Sequence, residues 1–339
     1  MNPTFRSRWI ILAASILMAV AVVLPDLPFP GKKFDYFMLV DITRSMNVRD
    51  YQAADGEPVS RLDKVKADML ASIRELPCGS RVGLGIFTER TPTLLYTPVE
   101  ICRDFTELQE TINRLDWRMA WVADSNIMLA LANSIELMRQ VRLDDSILLF
   151  FTDGHEAPPM NPRYQPDLQE LQQGSDETRS PVKGIIIGTG ATALSRIPKY
   201  DEDGNQIGYY TAEDVPHNTT FGLPEDPDKI EGYVPRNAPW GQNQQTGNEH
   251  LSSVRIGYLQ DLAGQAGLHF HHLQTQDALL NAMQHPDFAR PQRRKTDLSA
   301  IPASLSLLLL AIAYLPDFRL PASMRRKREF NPKSAGKNS

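Results

Sequence analysis

Two uninterrupted apolar runs, each ending on an aspartate, constrain this chain more than any other feature. Residues 35–41, "DYFMLVD", stop at Asp41, and residues 146–154, "SILLFFTDG", reach Asp153. A strand with one face in water alternates apolar and polar residues. A strand covered on both faces does not, and that is the pattern of parallel sheets sandwiched between helices. A carboxylate at the end of such a strand is costly unless something pairs with it.

The segments between these runs alternate in the same sense. "RLDKVKADMLASIREL" (61–76) carries Leu62, Val65, Met69, Ile73 and Leu76 at helical spacing, then stops before Pro77 and Gly79. "RVGLGIF" (81–87) and "TLLYT" (93–97) predict two strands joined by a turn near residues 89 and 90. "FTELQETINRL" (105–115) and "SNIMLALANSIELMRQV" (125–141) predict amphipathic helices. "VKGIIIGTG" is a third apolar strand, "LSSVRIGYLQDLAGQAG" a late helix, and "LHFHHL" a final strand. Strands alternating with helices predict an α/β fold: a doubly wound, mostly parallel sheet with helices on both faces. In such sheets, sites form outside the carboxyl ends of the strands. Residues 190–250 break the rhythm, being rich in Asp, Asn, Gly, Pro and Gln. Within them "IPKYDEDGNQIGYY" predicts a hairpin, and the remainder an extended surface loop.

Two further apolar runs lie near the ends of the 339 residues: Trp9–Pro25 and Leu298–Pro316, both without charge. A helix rising ~1.5 Å per residue needs roughly 17 residues or more to cross a bilayer core. Arg6 and Arg8 precede the first run, while Arg319 and the "RRKR" at 325–328 follow the second. By the positive-inside rule this predicts two spans with cytoplasmic ends. The expected organisation is a cytoplasmic terminus (1–8), a span (9–25), a domain outside the cytoplasm (33–285, with the insertion at about 190–250), a second span (298–316) and a basic cytoplasmic tail (317–339). In a bacterium the domain would face the periplasm from the inner membrane. The alternative for the first run is a signal peptide cleaved near Ala19-Val20-Ala21. A net charge of −5 gives no reason to expect nucleic acid as a partner.

Asp41, Thr43 and Ser45 follow the first strand at alternate positions, so in an extended loop they face one way. Ser125 opens the helix after "VAD", and Asp153 ends the second aspartate strand. Two carboxylates and three hydroxyls at neighbouring strand ends form a hard oxygen set, suited to Mg2+ or Ca2+ rather than Zn2+. "DITRS", "DSNIMLAL" and "FFTDG" together resemble the three loops of the von Willebrand factor A domain. That family carries a metal-ion-dependent adhesion site of pattern D-x-S-x-S, a distant Thr and a distant Asp. Matched position by position, Asp41, Thr43 and Ser45 form the first loop, Ser125 stands for the Thr, and Asp153 for the last Asp. Thr43 for Ser and Ser125 for Thr are departures that keep the hydroxyl. The resemblance implies one divalent cation with an open position filled by an Asp or Glu of a protein partner. The arrangement of such a domain between two spans, with the hairpin insert and the late helix, is similar to bacterial Bat-type (aerotolerance-operon) proteins and to their relatives encoded with methanol-oxidation genes. That likeness implies partners: other Bat-like membrane proteins, a MoxR-type AAA+ ATPase, and periplasmic methanol dehydrogenase with its calcium.

"DGHE" places His155 and Glu156 beside Asp153, and "HFHH" supplies His269, His271 and His272. On a strand His269 and His271 share a face while His272 points away, so at most two converge. No nucleophile elbow, phosphate-binding loop or H-E-x-x-H motif is present. A non-enzymatic interaction module is therefore expected, with a periplasmic metal-dependent hydrolase as the alternative. If 81–87 and 93–97 pair antiparallel, the register sets position 78 opposite about 101, which brings Cys78 and Cys102 within the ~4.4–6.8 Å Cα spacing of a disulfide. Two buried thiols are the competing expectation.

Overall fold

A computed structural model of the chain describes residues 3–314, apart from 25–26, 54, 121–124, 144, 158–164, 174–179, 202, 216–247 and 297. The basic tail and most of the 190–250 insertion lie outside the described residues. The chain divides into two compact units: Lys32–Pro291, and the two terminal segments up to Gly31 and from Gln292.

The larger unit is built on six strands: β1 (Asp35–Asp41), β2 (Arg81–Thr88), β3 (Thr91–Glu100), β4 (Ile147–Thr152), β5 (Gly184–Gly188) and β6 (His269–His272). Their order in the sheet is β6-β5-β4-β1-β2-β3. Every neighbouring pair is parallel except β2 with β3, which form the expected hairpin. Its turn is closed by Glu89 at φ 54°.

Alternation along β1 splits the core into two layers. Tyr36, Met38 and Val40 face helices α1 (Arg61–Glu75), α2 (Phe105–Asn113) and α6 (Gln276–Met283). Phe37 and Leu39 face α3 (Ile127–Gln140), α4 (Leu168–Gln173) and α5 (Ile256–Ala266). All seven residues of β1 are buried, which accounts for its unbroken apolar sequence. The doubly wound, mostly parallel arrangement is thus as the alternation predicts. Within the insertion, Pro198–Tyr200 and Gln206–Tyr209 form the expected antiparallel hairpin.

The disulfide is present: Cys78 and Cys102 are joined with their Cα atoms 5.4 Å apart. The register is the reason, since Arg81 pairs with Glu100 at the base of the hairpin. This bridge sits at the amino end of β2, away from the carboxyl ends where Asp41 and Asp153 lie.

In the terminal unit, helices Pro3–Val23 and Ala300–Tyr314 form where the two apolar runs predict them. They pack on each other, and the Ser306 hydroxyl donates to the Ala14 carbonyl at 2.7 Å. Large apolar side chains such as Trp9, Leu12, Val22, Ile301, Leu307 and Ile312 remain exposed. No helix among the described residues is long and apolar enough to cross a membrane. Within the described residues the C-terminal helix covers 15 residues, Ala300–Tyr314. Strands Leu27–Lys33 and Arg290–Thr296 pair as a two-stranded ribbon, which the prolines and basic residues in both segments concealed from sequence reading.

Candidate metal centre

The chain leaves β1 to one side toward β2 and later fills the sheet on the other side with β4, so β1 and β4 flank the point where the winding reverses. Asp41 ends β1, and Asp153 follows β4 directly. Loops diverge there and leave room for a site.

The first loop is organised by its own carboxylate. Asp41 Oδ1 accepts from the Thr43 backbone N–H at 2.8 Å, and Oδ2 accepts from the Thr152 hydroxyl at 2.7 Å. A 3-10 turn over Arg44–Asn47 then brings the Thr43 and Ser45 hydroxyls within 3.3 Å of each other. Ser125 is held by its main chain, which exchanges N–H···O bonds with Ala157 at 3.0 and 3.1 Å. The next residue, Asn126, caps α3 through the Leu129 N–H, and Glu156 accepts from the N–H groups of Ile127 and Met128. A carboxylate at a helix N-terminus is favourable because the free N–H groups and the helix dipole both attract it.

Asp153 is gripped from below. Its Oδ1 accepts from the His155 N–H at 2.9 Å. Its Oδ2 receives Arg61 Nη1 at 2.5 Å and the Ser252 hydroxyl at 2.9 Å. Arg61 opens α1, is fully buried, and spans to Asp50 through Nη2 at 2.6 Å and Nε at 3.0 Å. The guanidinium lies flat against Gly190, where a Cβ would stand 2.4 Å from Nε, and φ there is +112°. Only glycine leaves space for the arginine at that point.

Thr43, Ser45 and Ser125 line one cavity of about 30 Å³, enough for a water molecule or a small ion. Arg44, His155 and Ala157 line it too, as do Ile197, Tyr210, Val215 and Glu249 of the insertion. Of the five residues singled out in the sequence, Thr43, Ser45 and Ser125 line this cavity, while Asp41, bonded to the Thr43 N–H, and Asp153 are not among its lining residues. Sequence reasoning missed Arg61, Asp50, Ser252 and the insertion residues, none of which falls in the three loop patterns.

The electrostatics of the two aspartates differ. Burial, and then the nearby charge of Asp153, push the Asp41 carboxyl up to about 7. Burial also opposes ionisation of Asp153, but the Arg61 guanidinium and the hydrogen bonds outweigh it and hold that carboxyl below its usual range. Burial pushes the His155 imidazole down to about 4, so it is neutral near pH 7. Two buried polar atoms here have no hydrogen-bond partner among the described residues: Ser125 Oγ and His155 Nε2. A buried hydroxyl without a partner, beside hydroxyls of Thr43 and Ser45 and a carboxyl short of positive charge, fits a hard divalent cation. His271 and His272 do not join: the His272 Nε2 pairs with the Gly190 carbonyl at 2.9 Å.

No curated protein matches the chain. Among solved structures, it is similar to an aerotolerance-related membrane protein from Bacteroides fragilis (13% identity, 74% of this chain and 96% of that one, TM-score 0.46). It is also similar to BatB from Bacteroides thetaiotaomicron (14% identity, 74% and 95%, TM-score 0.45). A third similar structure is a membrane-spanning protein from Vibrio fischeri (15% identity, 75% and 97%, TM-score 0.27). Residues 36–155, the stretch that carries Asp41, Thr43, Ser45, Ser125 and Asp153, match the family model of the von Willebrand factor type A domain.

Proposed function

We propose that the protein is a membrane-anchored, non-enzymatic interaction module whose divalent-cation site engages an acidic residue of a protein partner. The observation that carries this reading is the cavity lined by the Thr43, Ser45 and Ser125 hydroxyls, with Ser125 Oγ buried and unpartnered. Thr43, Ser45 and Ser125 would contact Mg2+ or Ca2+, and Asp41 and Asp153 would supply negative charge around it. The ion would present a positive charge at the cavity to a carboxylate. The charge-free runs Trp9–Pro25 and Leu298–Pro316, with arginines on their outer flanks, support anchoring in a bacterial inner membrane with the larger unit in the periplasm. The likeness to Bat-type proteins, and within it to the MxaL protein of methanol-oxidation clusters, points to assembly or maturation of a periplasmic enzyme. Methanol dehydrogenase, with insertion of its calcium and a MoxR-type ATPase as helper, is the instance proposed.

The test is capture of purified methanol dehydrogenase by the full chain, in Mg2+ or Ca2+ and in chelator. Binding that disappears with chelator and in Asp41→Ala supports the reading, whereas binding indifferent to both overturns the metal-dependent contact. His155, which lines the cavity and whose buried Nε2 has no partner among the described residues, is the observation that favours the alternative reading, a metal-dependent hydrolase. Turnover of a simple phosphoester without any partner would establish that second reading instead.

A further inference from the structure

A separate group of metal-ligating side chains lies at the opposite end of the sheet. His269 is the first residue of the edge strand β6, while His285 and Asp287 follow α6 around the short turn Pro286–Phe288. One ligand atom from each falls within 4.8 Å of the other two. His285 Nδ1 stands 3.5 Å from Asp287 Oδ2. The two imidazoles are 4.9 Å apart between centroids, tilted by 44°. Phe288 is buried at 2% exposure and sets its ring edge-on to His269 at 5.4 Å, and at 5.6 Å from His285. A core residue thus packs against both histidines.

We propose that His269, His285 and Asp287 bind a late first-row divalent ion, Zn2+ foremost, at a site independent of the Asp41 cluster. The donor set decides the class of ion. Two imidazole nitrogens and one carboxylate oxygen suit Zn2+, Cu2+ or Ni2+, whereas Mg2+ and Ca2+ take oxygen ligands. Metal–ligand bonds of ~2.0–2.1 Å in a tetrahedron put neighbouring donors about 3.3 Å apart. The 3.5 Å between His285 Nδ1 and Asp287 Oδ2 is close to that spacing, and to bind the ion Nδ1 gives up the Asp287 N–H that it accepts at a long 3.4 Å. His269 closes the remaining distance by rotating an exposed side chain, at little cost in packing. Three protein ligands leave one position for water or for a donor from another molecule. Bound there, the ion ties the edge strand to the segment after α6.

The experiment is calorimetric titration of Zn2+ into the full chain in detergent, with Mg2+ in excess to occupy the hydroxyl-lined cavity. One Zn2+ per chain is expected in the parent protein and in Asp41→Ala. Loss of an outer-shell partner alone weakens a metal about 10–100-fold, so removing a direct ligand in His269→Ala or Asp287→Asn should weaken Zn2+ about 100-fold or more. Circular dichroism of the exposed-site variants checks that the fold is retained. Unchanged Zn2+ affinity in both variants, or Zn2+ lost only in Asp41→Ala, overturns the proposal. No Zn2+ binding by the parent protein does so equally, and reduces the trio to a tilted histidine pair beside an aspartate.

Discussion

Asp41→Asn separates the cost of the candidate centre from its purpose. In the absence of a cation, Asp41 is fully buried and its carboxyl is pushed to about 7, first by burial and then by the charge of Asp153. The unfolded value is ~3.9. A group whose folded pKa is raised holds its proton more tightly in the folded state. Its contribution is therefore complete below the unfolded value and is lost as pH rises through about 7. Asp153 behaves oppositely, because its folded value is lowered. Its contribution is present above the unfolded value and lost only in acid, outside this window. At about 1.4 kcal/mol per pKa unit, an upward shift of about three units makes ionised Asp41 cost up to about 4 kcal/mol. Asparagine removes the charge but keeps an oxygen for the Thr43 N–H, and the Thr152 hydroxyl can turn to accept from the new amide. In chelator at pH 8 the variant of the 32–291 unit should thus be more stable than the parent by a few kcal/mol. Its stability should also be flatter between pH 5 and 8. Saturating Mg2+ should narrow that gap, since ligand at 100 times Kd adds ~2.7 kcal/mol to a protein that binds it, and ~4.1 kcal/mol at 1,000 times Kd should close it. Urea denaturation at both pH values, with and without Mg2+, reads all of this. Lower stability of Asp41→Asn at pH 8 in chelator, or equal gain from Mg2+ in both proteins, would refute the reasoning.

Arg61→Leu leaves Asp50 and Asp153 buried without their counter-charge and should cost ~3–5 kcal/mol in denaturant titration; a loss near zero would show that the arginine is not the anchor of this loop. Ser125→Ala removes a buried hydroxyl that lacks a partner, so it should be neutral or stabilising in chelator while Mg2+ stabilisation is lost, and Ser125→Thr should retain that stabilisation. Replacing Cys78 and Cys102 by serine opens a loop of about 25 residues and should cost ~3 kcal/mol by the chain-entropy account, read as a drop in melting temperature equal to that caused by reductant.

What the sequence disclosed was whatever physics writes locally. β1 and β4 were legible because strands covered on both faces need an unbroken apolar run, and Asp41 and Asp153 were legible because they interrupt it. Cys78 and Cys102 could be paired because a hairpin's register is set by its turn. Arg61 was not legible. It opens an amphipathic helix, where a basic residue normally faces water, and its partners Asp50, Asp153 and Ser252 lie 11, 92 and 191 residues away. The His269–His285–Asp287 group escaped for the same reason: strand periodicity tests only neighbours on the strand, and the second histidine comes from beyond the next helix.

Arg61 also explains how two aspartates with the same burial come to behave differently. Buried Asp153 and Asp41 and part-buried Asp50 bring three negative charges close together, and Arg61 brings one positive charge. The guanidinium is spent on Asp50 and Asp153, so Asp153 stays ionised and Asp41 takes up the shortfall by holding its proton near neutral pH. His155 is neutral and cannot help. With Asp41 ionised, Asp41, Asp50, Asp153 and Arg61 carry two negative charges in excess, Arg44 and Glu249 of the cavity lining offset each other, and the hydroxyls of Thr43, Ser45 and Ser125 line the same cavity. A monovalent ion would leave half of that charge unmet. A small divalent cation meets it in full, and its arrival would release the Asp41 proton, so cation affinity should rise with pH across about 7. Affinity for Mg2+ that is the same at pH 6 and pH 8 would place the missing charge somewhere other than Asp41.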